Sequence, residues 1–335
     1  MAEKVLLDPS FRKIDEIFSA ADRARLDAMA EVVWGRDEPM PPAEAAAALS
    51  DVVAVISSGW RYGPIEDRMP DLRAILDVSG AFPGLDYAAC FRRGIRVLSA
   101  APAFGPQVAE MALGMALAAA RGIVAADADM RAGREKWLHA ANSEAYQLFD
   151  QPVGFIGFGS IARCLQSLIA PFRCRISAYD PWLSDGYLRS QGVTPVSLEE
   201  LLRTSRIVFV LAAPTLENGA LLSREMLELI DPKAALILIS RSHVVDFDAL
   251  TELLHAGRFA AAIDVFPTEP LPADHPIRSA PGTILSAHRA GSVPAGLQDI
   301  GRMVLDDLEA ILDGLPPQRM QQAQPELIGR AVTHR

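Results

Sequence analysis

The chain of 335 residues is long enough for two domains, and half of its residues are hydrophobic, which is ample for packed cores. Its formal net charge of −10 argues against a nucleic-acid-binding surface and against docking on an anionic membrane, since both need clustered Lys and Arg. The three cysteines, Cys90, Cys164 and Cys174, fit neither a disulfide framework nor a zinc site, so we expect no metal and reduced thiols in the cytoplasm.

The first hundred residues alternate between strand-like and helix-like segments. Strands are predicted at 4–8, 31–34, 52–57, 72–79 and 95–99, and helices at 11–30, 42–49 and about 106–131. This alternation is typical of a parallel sheet with helices on its faces. The N-terminus lacks the apolar core of a secretory signal, and charges interrupt the apolar stretch 109–128, which we expect to be a buried helix rather than a membrane span.

From residue 152 the alternation begins again. Strands are predicted at 152–157, 175–180, 207–213, 234–240, 259–264 and 283–288, and helices at 160–170, 223–230, 246–256 and about 294–313. Several of these runs are apolar at every position, as in parallel strands buried on both faces.

A glycine-rich turn joins the first strand and the first helix of this second series. Its residues, Gly157-Phe158-Gly159-Ser160-Ile161-Ala162, match the dinucleotide-binding pattern G-x-G-x-x-G/A. The first glycine allows the tight turn, the second allows the backbone to approach a pyrophosphate, and the helix N-terminus offers free N–H groups. The alternative is an ordinary strand–helix turn that binds no nucleotide.

An acidic residue, Asp180, ends the next predicted strand, 23 residues after Gly157. A carboxylate at this place accepts hydrogen bonds from the ribose hydroxyls and repels a 2′-phosphate, so NAD is favoured over NADP. The alternative is that Asp180 only forms a turn or caps a helix.

Three polar residues follow the ends of later strands: Arg241, Glu269 and His288. Ligands of open α/β sheets bind outside the carboxyl ends of strands, so these residues can converge on one crevice. His288 would take the hydroxyl proton, Glu269 would orient the imidazole and Arg241 would bind a substrate carboxylate. The alternatives are a surface ion pair for Arg241, a loop acid for Glu269 and a structural role for His288.

These motifs, in this order, resemble the D-isomer-specific 2-hydroxyacid dehydrogenases. The similar segments are VGFIGFGSIA, PQVAEMALGMALAAAR, SRSHVVDFDAL, AAIDVFPTEPLPADHP and LSAHRAGS, which together extend over most of the chain. The resemblance implies an α/β fold of two doubly wound parallel-sheet domains. A Rossmann cofactor domain, 101–289, would be inserted in a flavodoxin-like substrate domain made of 1–100 and 290–335, and the chain would form a homodimer through its cofactor domains.

The resemblance also implies further binding residues. Asp264 would contact the nicotinamide carboxamide, Ala212, Ala213 and Pro214 would line the adenine pocket, and the backbone amides of Gly80 and Ala81 would bind the substrate carboxylate. Ser240 and Gly291, which flank the catalytic candidates, complete the predicted cofactor-binding set.

The chain departs from the family pattern at several positions. The loop after Gly80-Ala81 carries the bulky, stiff pair Phe82-Pro83, Ser242-His243 stands where the family usually has two glycines, and Leu238 replaces a common asparagine. These changes leave the predicted acid/base pair intact and leave the substrate open.

Two functions of different classes follow. The first is an NAD-dependent dehydrogenase of a D-2-hydroxy acid, acting in either direction on small 2-hydroxy or 2-oxo acids. The second is an NAD(H)-binding regulatory protein of the same fold that acts through partners, which the altered Phe82-Pro83 loop would permit.

Overall fold

A computed structural model describes residues 3–65, 69–213, 215 and 219–330. The chain divides into two compact units: a discontinuous unit, Met1–Gly105 with Gly291–Arg335, and a continuous unit, Pro106–Ala290. The boundaries predicted from the sequence, 100/101 and 289/290, lie close to these.

The N-terminal segment supplies most of the discontinuous unit. Its strands are β1 (Lys4–Asp8), β2 (Glu31–Trp34), β3 (Val52–Ser57), β4 (Ala74–Asp77) and β5 (Arg96–Ser99), and its helices are α1 (Ile14–Ile17), α2 (Ala20–Met29), α3 (Pro42–Ala48) and α4 (Tyr87–Arg93). The single helix predicted over 11–30 is two helices, because Phe18 is extended and Ser19 begins α2 by accepting a hydrogen bond from the amide of Asp22.

The continuous unit repeats the alternation of strands and helices. Its elements are α5 (Gly105–Arg121), α6 (Ile123–Arg131), β6 (Pro152–Ile156), α7 (Ser160–Ile169), β7 (Arg175–Tyr179), α8 (Asp185–Ser190), β8 (Thr194–Pro195), α9 (Leu198–Thr204), β9 (Ile207–Val210), α10 (Arg224–Leu227), β10 (Ala235–Leu238), α11 (Phe247–His255), β11 (Ala260–Ile263) and β12 (Thr283–Leu285). The parallel sheet has the order β12-β11-β10-β9-β6-β7-β8. The order reverses between β6 and β9, which is where doubly wound sheets open a ligand crevice.

The C-terminal segment completes the discontinuous unit with α12 (Pro294–Leu312), β13 (Gln321–Gln322) and α13 (Pro325–Ile328). The sheet has the order β13-β5-β4-β3-β1-β2, in which β13 alone among the described strands is antiparallel to its neighbour. Without β13 this is the flavodoxin-like order. Helix α12 packs against α1, α2 and the 3₁₀ turn Ala101–Phe104.

The strands of this sheet are apolar on both faces because each face carries its own core. Along β1, Val5 and Leu7 belong to the core on one side of the sheet, whereas Leu6 belongs to the core on the other side. All three side chains have no exposed surface. Burial on both faces explains why the three central residues of β1, 5–7, are all hydrophobic.

Several predicted boundaries were wrong. The helix predicted over 106–131 is interrupted by Gly122, whose φ of +60° lies in the left-handed region, so α5 and α6 are separate helices. The strands predicted at 207–213 and 234–240 end at Val210 and Leu238. Helix α9 was missed although its sequence has a capping signal, Ser197 with Glu200 three residues later.

One segment of the described chain, Ala101–Arg121, is long and apolar enough to cross a membrane, and half of its most apolar window is buried inside the protein. Core helices of globular proteins meet the same criterion, so the segment does not by itself indicate a membrane protein.

Candidate active site

The glycine-rich turn of the continuous unit lies at the end of β6, where the sheet order reverses. Gly157 has a φ of +89°, and a Cβ at this position would lie 2.7 Å from the Cα of Ala212. Its amide donates a hydrogen bond to the carbonyl of Tyr179 at 2.9 Å. Only glycine combines this φ with so close an approach to the strand-end backbone at Ala212.

The second glycine of the turn faces open space. A Cβ on Gly159 would meet no atom within 4 Å, and Gly159 precedes α7 without a side chain that caps its first amides. The first hydrogen bond of α7 runs from Arg163 to Gly159, so the amides of Ser160, Ile161 and Ala162 have no acceptor within the helix. This uncapped N-terminus fits a pyrophosphate, because the helix dipole and the free amides both favour an anion.

The Asp180 carboxylate follows β7 and is tied to the same turn. Its Oδ2 accepts a hydrogen bond from the amide of Phe158 at 2.8 Å, and its Oδ1 accepts one from the amide of Trp182 at 2.9 Å. The half-buried carboxylate is therefore fixed beside the glycine-rich turn. Each oxygen keeps a lone pair with which it can accept a further hydrogen bond.

The predicted adenine-binding residues follow β9. Ala212 is half-buried against Gly157, and Ala213 is exposed. Pro214 lies outside the described residues.

Arg241 and Ser240 follow β10. The Arg241 side chain is half-buried, and its Nη1 donates a hydrogen bond to the carbonyl oxygen of Ser240 at 2.8 Å. Burial lowers the pKa of Arg241, and the nearby carboxylate of Glu269 opposes this shift. The hydroxyl of Ser240 is buried and has no hydrogen-bond partner in the described part of the chain. An unpaired buried hydroxyl is unfavourable, and a bound ligand could satisfy it.

Glu269 and His288 form a hydrogen-bonded pair. Nδ1 of His288 lies 2.6 Å from Oε2 of Glu269, and Oε1 of Glu269 accepts a hydrogen bond from the amide of Phe266 at 2.9 Å. Since an ionised carboxylate only accepts, Nδ1 carries the proton that the pair shares. Nε2 has no hydrogen-bond partner among the described residues, and 44% of the His288 side chain is exposed.

Asp264 fixes the backbone that carries His288. Its carbonyl accepts a hydrogen bond from the amide of His288 at 2.8 Å, and its two carboxylate oxygens each accept one at 3.0 Å, from the amides of Arg289 and Ala290. These bonds stabilise His288 at a φ of +49°, a conformation that is uncommon outside glycine.

The contact predicted between Asp264 and the nicotinamide carboxamide stays a prediction. Asp264 has no exposed surface, and both carboxylate oxygens are directed at the turn after β12. These hydrogen bonds give Asp264 a positioning role at the turn that carries His288. Gly291 lies just after this turn, at the first residue of the C-terminal segment.

In the discontinuous unit, Gly80 and Ala81 follow β4 in a turn held by Asp77. The Asp77 carboxylate is buried and accepts hydrogen bonds from the amide of Gly59 at 2.8 Å and from the amide and hydroxyl of Ser79. Burial raises the pKa of Asp77, and these hydrogen bonds oppose the shift. Gly80 has a φ of +83°, and a Cβ there would lie 2.6 Å from the ring of Phe104.

The two predicted carboxylate-binding amides of this turn differ. Within the described residues the Gly80 amide has no acceptor, whereas the Ala81 amide donates to the hydroxyl of Ser79 at 3.2 Å. The bulky Phe82 does not obstruct the turn, because its side chain is 8% exposed and packs in a core beneath the sheet. Gly80 therefore has the free amide of this turn, and the Phe82 side chain lies away from it.

Comparison with known proteins agrees with this architecture. A sequence model described as "D-isomer specific 2-hydroxyacid dehydrogenase, NAD binding domain" matches residues 113–290, which is more than half of the chain. The chain belongs to the D-isomer-specific 2-hydroxyacid dehydrogenase family. It shares the two parallel-sheet α/β domains of this family and its nicotinamide-cofactor-binding domain.

Individual members of the family give the degree of similarity. A glyoxylate reductase from Korarchaeum cryptofilum is 30% identical over 260 residues, which cover 76% of this chain and 78% of that protein. A D-3-phosphoglycerate dehydrogenase from Mycobacterium bovis is 28% identical over 87% of this chain, which spans about half, 54%, of that protein's length. The crystal structure of a phosphoglycerate oxidoreductase from Rhizobium etli has a TM-score of 0.88 and 38% identity, covering 98% of this chain and all of that chain.

Some residues of the dehydrogenase site were not predicted from the sequence. Backbone amides orient the three carboxylates Asp180, Glu269 and Asp264; these amides belong to Phe158, Phe266, Arg289 and Ala290. A backbone donor cannot be predicted from a pattern of side chains. A buried Asp at the end of a strand, followed two dozen residues later by a candidate His, is the signal that links Asp264 to His288.

Proposed function

We propose that this protein is an NAD-dependent dehydrogenase that interconverts a 2-oxo acid and a D-2-hydroxy acid. The observation that carries the proposal is the His288–Glu269 pair, with Nδ1 bound to the carboxylate at 2.6 Å and Nε2 left open. The continuous unit would bind the cofactor and the discontinuous unit would bind the substrate.

His288 is the proposed acid/base. Glu269 holds the imidazole through Nδ1, which leaves Nε2 as the nitrogen that protonates the substrate oxygen during reduction and deprotonates the hydroxyl during oxidation. The carboxylate stabilises the imidazolium because it places a negative charge beside the protonated ring. A bound nicotinamide dinucleotide supplies or accepts the hydride.

Arg241 is the proposed carboxylate-binding side chain. Its guanidinium is near enough to Glu269 for their charges to interact. Among the described residues, it donates one hydrogen bond, to the carbonyl of Ser240. Its remaining donors suit a carboxylate, which a guanidinium binds with two parallel hydrogen bonds. In the discontinuous unit, the free amide of Gly80 and the amide of Ala81 are the proposed backbone donors to a substrate carboxylate.

The proposed cofactor is NAD rather than NADP. Phosphates would bind at the N-terminus of α7, with Ser240 as a further hydrogen-bond donor, and Asp180 would accept hydrogen bonds from the adenosine ribose. Because the Phe158 and Trp182 amides fix this carboxylate, it cannot turn away from a 2′-phosphate without losing both bonds. We expect kcat/KM to be higher with NADH than with NADPH, and Asp180→Ala to narrow the difference.

A steady-state assay tests the proposal. NADH oxidation is followed with a panel of 2-oxo acids for the wild type, His288→Ala and a matched control, His255→Ala. His255 is an exposed histidine of the same unit that contacts the carbonyl of Pro276. Loss of general acid catalysis is expected to lower kcat by about 10²- to 10⁴-fold in His288→Ala, with NADH binding retained, and His255→Ala should behave as the wild type.

Two outcomes would contradict the proposal. Equal rates for the wild type and His288→Ala would show that His288 is not the acid/base. Tight NADH binding with no turnover of any 2-oxo acid would favour the regulatory alternative, which the inward packing of Phe82 no longer supports.

We further propose a cytoplasmic homodimer formed through the continuous units. No residue of α6 is buried, and the apolar side chains of Ile123, Val124, Met130, Trp137 and Leu138 are each more than half exposed. A second copy would cover this apolar surface, which is costly to leave in water. Sedimentation should give twice the chain mass of 36.1 kDa, and a single-chain mass would refute the dimer.

A further inference from the structure

A half-buried guanidinium lies beside the Gly80 turn in the discontinuous unit. Arg12 follows β1, and its Nε donates a hydrogen bond to the carbonyl oxygen of Val78 at 3.3 Å. Its Cζ lies 5.5 Å from the ring centroid of Phe104, the ring against which Gly80 packs. Arg12 therefore adjoins the turn whose amides are the proposed carboxylate donors.

The charge of Arg12 is not neutralised by a direct ion pair. Nη1 and Nη2 make no hydrogen bond or salt bridge to any residue that the structure describes. Burial lowers the pKa of Arg12, and the charges of Glu16 and Asp77 oppose the shift. Both acids are committed elsewhere, Glu16 to the amide of Lys13 and Asp77 to its own turn. A partly desolvated cation with free donors is stabilised by an anionic ligand.

The neighbouring residue adds a second, independent feature. Phe11 has a φ of +71°, which is strained for a bulky side chain, and 72% of its surface is exposed. The guanidinium of Arg12 lies 4.9 Å from the centroid of the Phe11 ring. With Phe11 and Phe104 both in contact, the orientation of the Arg12 guanidinium is restricted before any ligand binds.

Another arginine at the same edge of the sheet shows the contrast. Arg61 follows β3, its Nη2 donates to the carbonyl of Ser58 at 2.8 Å, and its Nη1 lies 3.7 Å from Oδ1 of Asp8. Asp8 is fully buried, so Arg61 has a structural counter-ion. Among the described residues, Arg12 has no such buried carboxylate as a counter-ion.

We propose that Arg12 is a specificity-determining residue that binds a second anionic group, a carboxylate or a phosphate at the far end of a 2-oxo acid. This inference rests on the proposed function. Within the same unit, the free amide of Gly80 already offers a donor to the reacting carboxylate, so the adjoining guanidinium matches a further negative charge. The preferred substrate class is therefore a dianionic or phosphorylated 2-oxo acid.

Matched substrate pairs test the inference. 2-Oxoglutarate is compared with 2-oxopentanoate, and 3-phosphohydroxypyruvate with hydroxypyruvate, so each pair differs in the distal anion. The wild type, Arg12→Met, Arg12→Lys and Arg36→Met are assayed for kcat and KM. Arg36 is the matched control: it follows β2 at the same edge and stacks on Trp34 at 4.7 Å, but it is exposed.

The wild type should prefer the member with the distal anion in at least one pair, and that pair identifies the group as carboxylate or phosphate. In Arg12→Met we expect kcat/KM for this member to fall at least about tenfold, mainly through KM, and to change less than about twofold for its monoanionic counterpart. Arg12→Lys should retain part of the preference because it keeps the charge without the planar fork. Arg36→Met should leave both members unchanged.

Several results would overturn the inference. Equal losses for both members would mean that Arg12 holds the reacting carboxylate or only the fold, and an equal effect of Arg36→Met would mean a general charge effect. A wild type that reduces the monoanionic members as well as those with a distal anion refutes the role of Arg12 and leaves the proposed function standing. A wild type that reduces none of the four but reduces another 2-oxo acid of the panel does the same, and a wild type that reduces no 2-oxo acid refutes both. Thermal unfolding checks folding, and Arg12→Lys carries the test if Arg12→Met does not fold.

Discussion

Two buried aspartates, one in each unit, both hold a turn through hydrogen bonds to its backbone, but the two turns expose different groups. Asp264 and Asp77 both end a parallel strand, and each carboxylate accepts backbone hydrogen bonds from a turn that follows a strand. The turn held by Asp264 presents a side chain, His288. The turn held by Asp77 presents a backbone amide, that of Gly80.

Under the proposed function the two turns have different chemical tasks. Proton transfer would need a titratable group, which the Asp264 turn has in His288, hydrogen-bonded to a second carboxylate, Glu269. Binding a carboxylate would need only donors of fixed direction, and Gly80 has a free amide in a turn where no side chain fits beside Phe104. Changes at the first turn are therefore expected to act on kcat, and changes at the second on KM and stability.

Among changes that keep His288, the largest effect is expected from Glu269→Gln. A neutral amide cannot stabilise the imidazolium by charge, so kcat/KM for 2-oxo acid reduction should fall about a hundredfold. The control is Glu252→Gln, which removes a surface ion pair with Arg224 in the same unit and should change the rate little. Equal kinetics in both variants would remove Glu269 from the mechanism.

A smaller loss is expected from Asp264→Asn. One oxygen of the amide can still accept, but its NH₂ group would face the amide N–H of Arg289 or Ala290, which leaves a buried donor unpaired. We expect kcat to fall about tenfold with KM little changed. Asp246→Asn is the control, because Asp246 caps α11 through one amide and Asn is an equally good cap. A rise in KM without a fall in kcat would contradict the positioning role.

Gly80→Ala should act mainly through the substrate-binding turn. Gly94→Ala is its matched control: Gly94 also has a positive φ, +70°, but a Cβ there meets no atom within 4 Å. Both variants carry the backbone strain, about 1 kcal/mol, and only Gly80→Ala adds the contact with Phe104. Chemical denaturation should find Gly80→Ala the less stable, and the assay should find a higher substrate KM in Gly80→Ala alone.

The smallest effect concerns the pH dependence of stability. Burial raises the folded-state pKa of Asp77 above its ordinary value of 3.8, so the folded protein binds a proton more tightly than the unfolded chain. The contribution of Asp77 to stability is therefore present below pH 3.8 and is lost as the pH rises through the folded-state pKa. The unfolding free energy of the wild type, measured relative to that of Asp77→Asn, should decrease as the pH rises from 3.8 through the folded-state pKa of Asp77. A difference that does not change with pH would show that the carboxyl is not perturbed.

The sequence predicted the fold class because its signals are local and repeated. Continuous apolar runs such as 52–56 and 234–239 identify buried parallel strands, and the turn at Gly157 identifies the nucleotide-binding unit. The α/β class with two parallel-sheet units was confirmed. Boundaries were less accurate: a hydrophobic pattern continues through Gly122, and only the backbone conformation there separates α5 from α6.

The site was predicted in part, for a physical reason. Residue types at strand ends suggested Glu269 and His288, and the structure places them in contact, while their catalytic roles stay predictions. The inward packing of Phe82, the buried position of Asp264 and the half-buried position of the Arg12 guanidinium depend on contacts distant in sequence. No pattern in the sequence around Arg12 indicates that its guanidinium would lie against Phe104.

The discontinuity of the first unit affects how the chain is made. Strands β1 to β5 leave the ribosome first, but α12, which packs against α1 and α2, is synthesised only after the whole of Pro106–Ala290. At about 5–20 residues per second, the N-terminal segment waits on the order of ten seconds or more for its missing helix. The continuous unit is complete at the end of this interval, before α12 is made, and can fold first. A nascent chain can therefore acquire its nucleotide-binding half before its other half has a closed core.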